Sequence, residues 1–202
     1  MQIKDVAAVH AYHKYRVERF GCATTEALGW KNSESQSERF RHFADFADLA
    51  NSEVLDVGCG HGDIYPYLQS IHGDLFYTGI DQSRSFLDVA VQRFGADENT
   101  RFLLGDFCSL LLPSTDYVIC CGALNYRNSD PNFLFRMINR FFDTSRKAVG
   151  LSLLERVDFD NGILVPSDPD RVVEFCKRLS AKVVVKNDPD TDHFSVFIYH
   201  AS

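Results

Sequence analysis

The residues with the clearest chemical purpose lie in the run Val54 to Asp63, VLDVGCGHGD, where an apolar stretch delivers an aspartate two positions before alternating glycines. A strand ending at Asp56, a bend made by Gly58, Gly60 and Gly62, and a helix starting at once would together cradle a ligand. Glycine removes the Cβ where a bend must be tight and where a ligand must approach the backbone. The first turn of the helix beyond it offers N–H groups that have no partner within the helix. Two ligands compete for such a bend. A pyrophosphate on the helix start would favour GxGxxG, but the order here is Gly58-Cys59-Gly60-His61-Gly62, without the third glycine at the required step. A cofactor carrying an ammonium group suits the bend better, because the Asp56 carboxylate can lie beside it.

A second carboxylate follows in GIDQS, where Asp81 ends the next apolar run about 25 residues beyond Asp56, near the spacing at which folds of this kind bind ribose hydroxyls. One carboxylate can accept hydrogen bonds from both hydroxyls. Dinucleotide enzymes use the same device, so Asp81 alone does not separate the two ligands. In its glycine bend the chain resembles the class I S-adenosylmethionine-dependent methyltransferases, whose first motif reads much like VLDVGCGHGD. The resemblance implies that Asp56, Gly58, Cys59 and Gly60 line the methionine end of S-adenosyl-L-methionine, with Asp81 and Gln82 at the ribose. It places Asp106 or Phe107 of LLGDF at the adenine. In DYVICCGALNY it places Cys121, Gly122 and Ala123 against the cofactor, and Asn125 and Tyr126 against the methyl acceptor. These elements occur in the family's order over residues 53 to 127.

Small members of this family carry a helical lid before the first strand, and the resemblance puts Trp30, Ser35, Gln36 and Arg39 there. A guanidinium can bind a carboxylate bidentately, which makes Arg39 the candidate for the carboxylate of the cofactor. A hydroxyl or amine acceptor must lose a proton, and His193 or His61 are the candidate bases; His61 and Tyr126 are also expected to touch the acceptor, with Tyr126 and His193 in the catalytic role. Glu155 and Asp158 are weaker candidates for the same pocket. Cys120 and Cys121 are adjacent in a strand and must face opposite sides, which excludes a shared ligand. CGALNY also differs from the (Asp/Asn)-Pro-Pro-(Tyr/Phe) pattern associated with methylation of nucleic-acid bases and glutamine. A small-molecule acceptor, methylated on oxygen or nitrogen, is the expected substrate. Two alternatives are a binding protein for the cofactor without catalysis and an NAD-dependent oxidoreductase.

The elements that must hold these residues follow from periodicity. From Glu53 onward short apolar runs alternate with helical segments, the pattern of a parallel sheet with crossover helices. VLDVG, LFYTGID, RFLLGD, DYVICC and KAVGLSLL are the first five strands, with helices around Asp63 to Ile71, Ser83 to Phe94 and Pro131 to Phe142. A helix at Pro169 to Leu179 precedes AKVVVKN and HFSVFIYH, and the polar segment Asp188 to Asp192 joins those two strands as a hairpin-like turn. Upstream, His10 to Phe20 reads as a helix broken at Gly21. Ser35 or Ser37 caps a second helix, whose stripe of Phe40, Phe43, Phe46, Ala47 and Ala50 forms one apolar face. The expectation is a Rossmann-like, doubly wound α/β fold with a seven-stranded, mostly parallel sheet and an antiparallel edge. It forms a single domain over 1–202, with a lid over 1–51 and a cofactor-binding core over 52–202.

Composition narrows the partners. A net charge of −7 with dispersed Lys and Arg argues against a nucleic-acid footprint. No apolar run reaches the length of a membrane span, and the first residues lack the order of a signal peptide, so a cytoplasmic location and no membrane partner are expected. The six cysteines show neither a CxxC pair nor zinc spacing, so buried, reduced thiols and no metal are expected. The expected assembly is a monomer or a homodimer.

Overall fold

A computed structural model describes residues 2–157 and 162–201. Helices α1 (Ile3–Phe20) and α2 (Ser33–Ala44) precede strand β1 (Glu53–Val57). There follow α3 (Ile64–His72), β2 (Phe76–Asp81), α4 (Arg84–Phe94), β3 (Thr100–Leu104) and β4 (Thr115–Cys121). The chain closes with α5 (Phe133–Thr144), β5 (Ser145–Leu154), α6 (Pro169–Leu179), β6 (Lys182–Asn187) and β7 (His193–Tyr199). The strands form one seven-stranded sheet in the order β3-β2-β1-β4-β5-β7-β6. Strands β1 to β5 pair in parallel, whereas β7 runs antiparallel to both β5 and β6. The antiparallel side therefore consists of a reversed β7 lying one strand in from the edge strand β6.

Alternation along the strands sorts side chains into two layers. Leu55, Val57, Val118, Cys120, Leu151, Val196 and Ile198 face one way and pack with Met137, Ile138 and Phe141 of α5 and Val172 and Cys176 of α6. Val54, Tyr77, Tyr117, Ile119, Ala148 and Phe197 face the other, against Phe40 and Phe43 of α2, Phe46 beyond it, and Ile64 and Leu68 of α3. Burial on both faces explains the near-continuous apolar strands. Cys120 and Cys121 fall on opposite layers, as adjacent strand residues must.

Three boundaries differ from the sequence reading. Helix α1 begins at Ile3, well before His10. Helix α2 is capped by Asn32, not by Ser35 or Ser37. The Asn32 Oδ1 accepts from Ser35 N at 2.9 Å while Ser35 Oγ accepts from Asn32 N at 3.3 Å, a reciprocal box that uses Ser35 at the third helical position. Ser37 Oγ instead donates to Ser33 O one turn back. The helix stops at Ala44, yet Phe46 beyond it is still buried, stacked on Phe197 with centroids 5.0 Å apart. No described helix is long and apolar enough to cross a membrane.

Candidate functional site

The chain leaves β1 and builds β2 and β3 on one side, then returns to place β4 on the other side of β1. At such a reversal the carboxyl ends of the two central strands diverge and leave a crevice. The glycine bend sits there, with Gly58, Gly60 and Gly62 at φ of 74°, 56° and 71°. Gly58 N and Cys59 N donate to Ile80 O at 2.8 and 3.0 Å, tying the bend to β2. A Cβ on Gly58 would stand 2.2 Å from the Ala123 Cβ, so glycine is what lets the loop after β4 close on the bend. A Cβ on Gly60 would stand 2.8 Å from Leu28, which descends from the segment between α1 and α2.

Two carboxylates end the strands beside this bend. Asp56 is buried, and Tyr77 Oη donates to its Oδ2 at 2.6 Å. Burial pushes the Asp56 carboxyl up to about 7, against the opposing pull of the Tyr77 hydrogen bond and with a further push from the Asp81 charge. Asp81 accepts from Gly60 N at 2.9 Å on Oδ2 and from Ser83 N at 2.7 Å on Oδ1, so it fixes both the bend and the start of α4. Burial raises its carboxyl as well, opposed by these backbone donors.

Helices α1 and α2 roof the crevice, leaving a cavity of about 710 Å³. Arg39 of α2 reaches it from above, with its guanidinium 5.0 Å over the Trp30 ring and Nη2 3.2 Å from Asp192 Oδ1. Lys31 Nζ lies 3.0 Å from the other oxygen of Asp192. The His193 hydrogen bond, followed by Lys31 and Arg39, holds the Asp192 carboxyl well below the usual range, against the effect of burial. Trp30 in turn lies against Gly122. On the remaining wall Tyr126 Oη is 2.9 Å from His13 Nε2, and His13 Nδ1 is 3.1 Å from Ala27 O. Burial drives the His13 imidazole down to about 4. Among the described residues no group of three or more His, Cys, Asp and Glu is arranged to hold a metal ion.

The sequence pattern of the family described as "Methyltransferase domain" matches residues 54–144, the stretch that supplies the bend, both carboxylates and the loop after β4. That match covers a little under half of the chain. It is similar to protein 235L of Invertebrate iridescent virus 6, named for a methyltransferase, at 35% identity over 32% of this chain and 24% of that one. The match thus spans about a quarter of that relative's length. Rv1506c of Mycobacterium tuberculosis (strain ATCC 25618 / H37Rv), also named for a methyltransferase, is 25% identical over 74% of this chain and 93% of its own. In fold the chain is similar to the N-methyltransferase NodS of Bradyrhizobium japonicum, solved with S-adenosyl-L-homocysteine. That likeness has a TM-score of 0.69 at 13% identity and covers 95% of this chain and 100% of NodS.

Most of the residues that the sequence resemblance assigned to a cofactor and acceptor site meet at the cavity. Asp56, Gly58, Cys59 and Gly60 line it from the first bend, and Asp81 and Gln82 from the second strand end. Phe107, Cys121, Gly122 and Ala123 line the floor, Asn125 and Tyr126 the loop after β4, and Trp30, Ser35, Gln36 and Arg39 the roof. Asn125 also holds the frame, since its Oδ1 accepts from Leu154 N at 2.9 Å.

Four expected residues stand elsewhere. Asp106 is not on the cavity wall; its Oδ1 accepts from Cys108 N at 2.9 Å, so the carboxylate organises its own turn and leaves Phe107 to face inward. His61 is buried off the wall, its ring edge-on to Phe86 at 5.2 Å. His193 is buried beneath α2, tilted on His42 at 5.2 Å with Nδ1 3.5 Å from Asp192, so it reaches the cavity only through Asp192 and Arg39. Neither histidine is placed to take a proton from an acceptor. Glu155 accepts from Asn187 Nδ2 at 3.2 Å and is not on the wall, and Asp158 lies outside the described residues. The residues that the reading missed are Tyr12 and His13, on the face of α1 that carries Val9, Arg16 and Val17 into the cavity. Their three- and four-residue spacing in His10 to Phe20 was the available signal.

Proposed function

We propose that this protein transfers the methyl group of S-adenosylmethionine to an oxygen or nitrogen of a small molecule held under the N-terminal helices. The observation that carries the reading is one cavity with the glycine bend, Asp56 and Asp81 on its lower wall and Trp30, Arg39 and Tyr126 above. The residues fit the nucleoside. Asp56 is in none of the ion pairs among the described residues and suits an ammonium group, whose charge would reverse the effect of burial on its carboxyl. Arg39, held on edge by Asp192, suits a carboxylate. Asp81 retains acceptor capacity beyond its two backbone donors and suits ribose hydroxyls. Phe107 offers an apolar wall to the adenine.

When bound, the nucleoside supplies the electrophilic methyl group; the chain's own work is to align the acceptor and exclude water. Tyr12, Trp30, Phe40 and Phe133 give the cavity aromatic surfaces that favour a flat, weakly polar acceptor. The test is calorimetric titration with S-adenosylmethionine, S-adenosylhomocysteine and NAD, followed by transfer of a tritiated methyl group to a panel of small hydroxylated and amino compounds. Binding of both sulfur nucleosides and labelling of a panel member is the expected result. Binding of NAD alone overturns the proposal.

A further inference from the structure

The contact between Tyr126 and His13 has a defined direction. Ala27 O can only accept, so His13 Nδ1 carries the ring proton and Nε2 presents a lone pair. Tyr126 must then donate its single hydroxyl proton to Nε2 across the 2.9 Å contact. What Tyr126 Oη offers the cavity is therefore an acceptor lone pair, backed by a neutral imidazole. The pair joins α1 to the loop after β4, and a Cβ on Gly29 would come within 3.7 Å of the Tyr126 oxygen, so the backbone passes it closely.

Resting on the methyltransferase reading above, we propose that Tyr126 and His13 are the proton-accepting pair of this site and that the acceptor is a hydroxyl on a ring-bearing molecule. The acceptor O–H bond breaks and its proton bonds to Tyr126 Oη, while the proton of Tyr126 moves to His13 Nε2. The freed oxygen pair forms the new O–CH3 bond, and the S–CH3 bond breaks with its electrons left on sulfur as a thioether. One positive charge disappears from sulfur and one appears on the imidazole, so the net charge of the cavity is unchanged. A carboxylate or thiolate acceptor arrives without a proton and needs no such pair. An ammonium would add a second cation beside the sulfonium and has no lone pair with which to attack the methyl group.

Burial above all, with lesser contributions from Arg16 and His10 on α1, opposes protonation of His13, and burial, then Tyr12 and Asp81, raises the Tyr126 phenol. These effects keep His13 neutral and Tyr126 protonated before reaction, the starting state the transfer requires.

The experiment uses the full chain labelled with 15N-histidine and saturated with S-adenosylhomocysteine. Long-range proton–nitrogen correlation should show His13 protonated at Nδ1, and Tyr126→Phe should shift its Nε2 resonance. Turnover is then read with tritiated S-adenosylmethionine against phenols, anilines and aromatic carboxylates. Phenols should be labelled, and Tyr126→Phe and His13→Gln should each lower kcat about 100-fold. Their affinity for S-adenosylhomocysteine by calorimetry should change less than about threefold, because glutamine can keep both hydrogen bonds of His13 without taking a proton. Protonation of His13 at Nε2 instead, labelling of anilines or carboxylates alone, or full kcat in either variant overturns the pair. A wild-type chain that binds neither sulfur nucleoside defeats the methyltransferase reading itself, whereas one that binds them and methylates no phenol defeats only this inference.

Discussion

If Asp56 receives the ammonium group, binding of S-adenosylmethionine must expel a proton from the protein. With its carboxyl pushed to about 7 by burial, Asp56 is about nine-tenths protonated at pH 6 and about half protonated at pH 7 in the free chain. The ammonium pairs with the ionised form, so about 0.9 proton should leave per nucleoside bound at pH 6 and about 0.5 at pH 7. Linkage makes the affinity rise about fivefold over that interval, or about 1 kcal/mol. An α-amino group itself titrates near 7.7 to 8.0, so the comparison belongs below that range. Calorimetry at each pH in two buffers of different ionisation enthalpy reads the protons directly. The same shift has a stability consequence. A carboxyl raised on folding contributes stability that is complete below about 4 and lost as pH rises through about 7. Asp56→Asn, whose amide oxygen can still accept from Tyr77, should therefore melt higher than wild type at pH 7.5 while losing both proton release and tight binding. Binding enthalpies independent of buffer at pH 6, with affinity flat from pH 6 to 7, would refute the assignment of Asp56 to the ammonium.

Three further perturbations probe the frame of the site. Gly58→Ala puts a Cβ 2.2 Å from Ala123 at a φ of 74°, and should lower stability by about 2 to 3 kcal/mol in urea denaturation and abolish nucleoside binding; an unchanged midpoint would show that the two loops part easily. Asp192→Asn removes the charge that holds Arg39 and Lys31, and should weaken S-adenosylhomocysteine about tenfold by calorimetry while the far-ultraviolet circular dichroism stays that of wild type. Deletion of residues 1–31 should leave a cooperative thermal transition, whereas deletion of 1–51 should abolish it, because Phe43 and Phe46 are buried in the sheet's core.

The central strands and the bend at Asp56 were legible because their signals are local: apolar runs of strand length, and glycines at every second position from Gly58 to Gly62. The hairpin of β6 and β7 was equally local, marked by the polar turn from Asp188 to Asp192. His13 was not legible as part of the site, since its partner Tyr126 lies 113 residues away and the contact exists only once α1 folds back over the sheet. His193 illustrates the opposite failure. Its position near the last strand's start fitted a pocket residue, but period-two alternation sends it into the layer beneath α2, where Asp192 and His42 occupy it. At Asp106 a neighbouring backbone N–H takes the carboxylate, which leaves Phe107 of the same motif on the cavity wall.

The division between lid and core also follows from packing more than from chain order. Residues 1–51 precede the first strand, yet the Phe43 and Phe46 rings pack edge-on and stacked against Phe197 of β7, so α2 is one face of the sheet's cover. The same helix carries Arg39 and Gln36 into the cavity, and Gln36 Nε2 donates to Asp63 Oδ2 at 2.9 Å beside the bend. A helix anchored on both sides cannot swing without opening the core, which makes it a fixed mount for the guanidinium. The other part of the roof is α1 with the turns that follow it. Its contacts to the rest include the Asp5–Ser129 and His13–Tyr126 hydrogen bonds, edge-on rings of Tyr12 on Tyr126 and of His13 on Phe86, and Leu28 over Gly60. Opening on that side would part His13 from Tyr126, so the hydrogen bond that completes the proposed proton path forms only when the roof is closed.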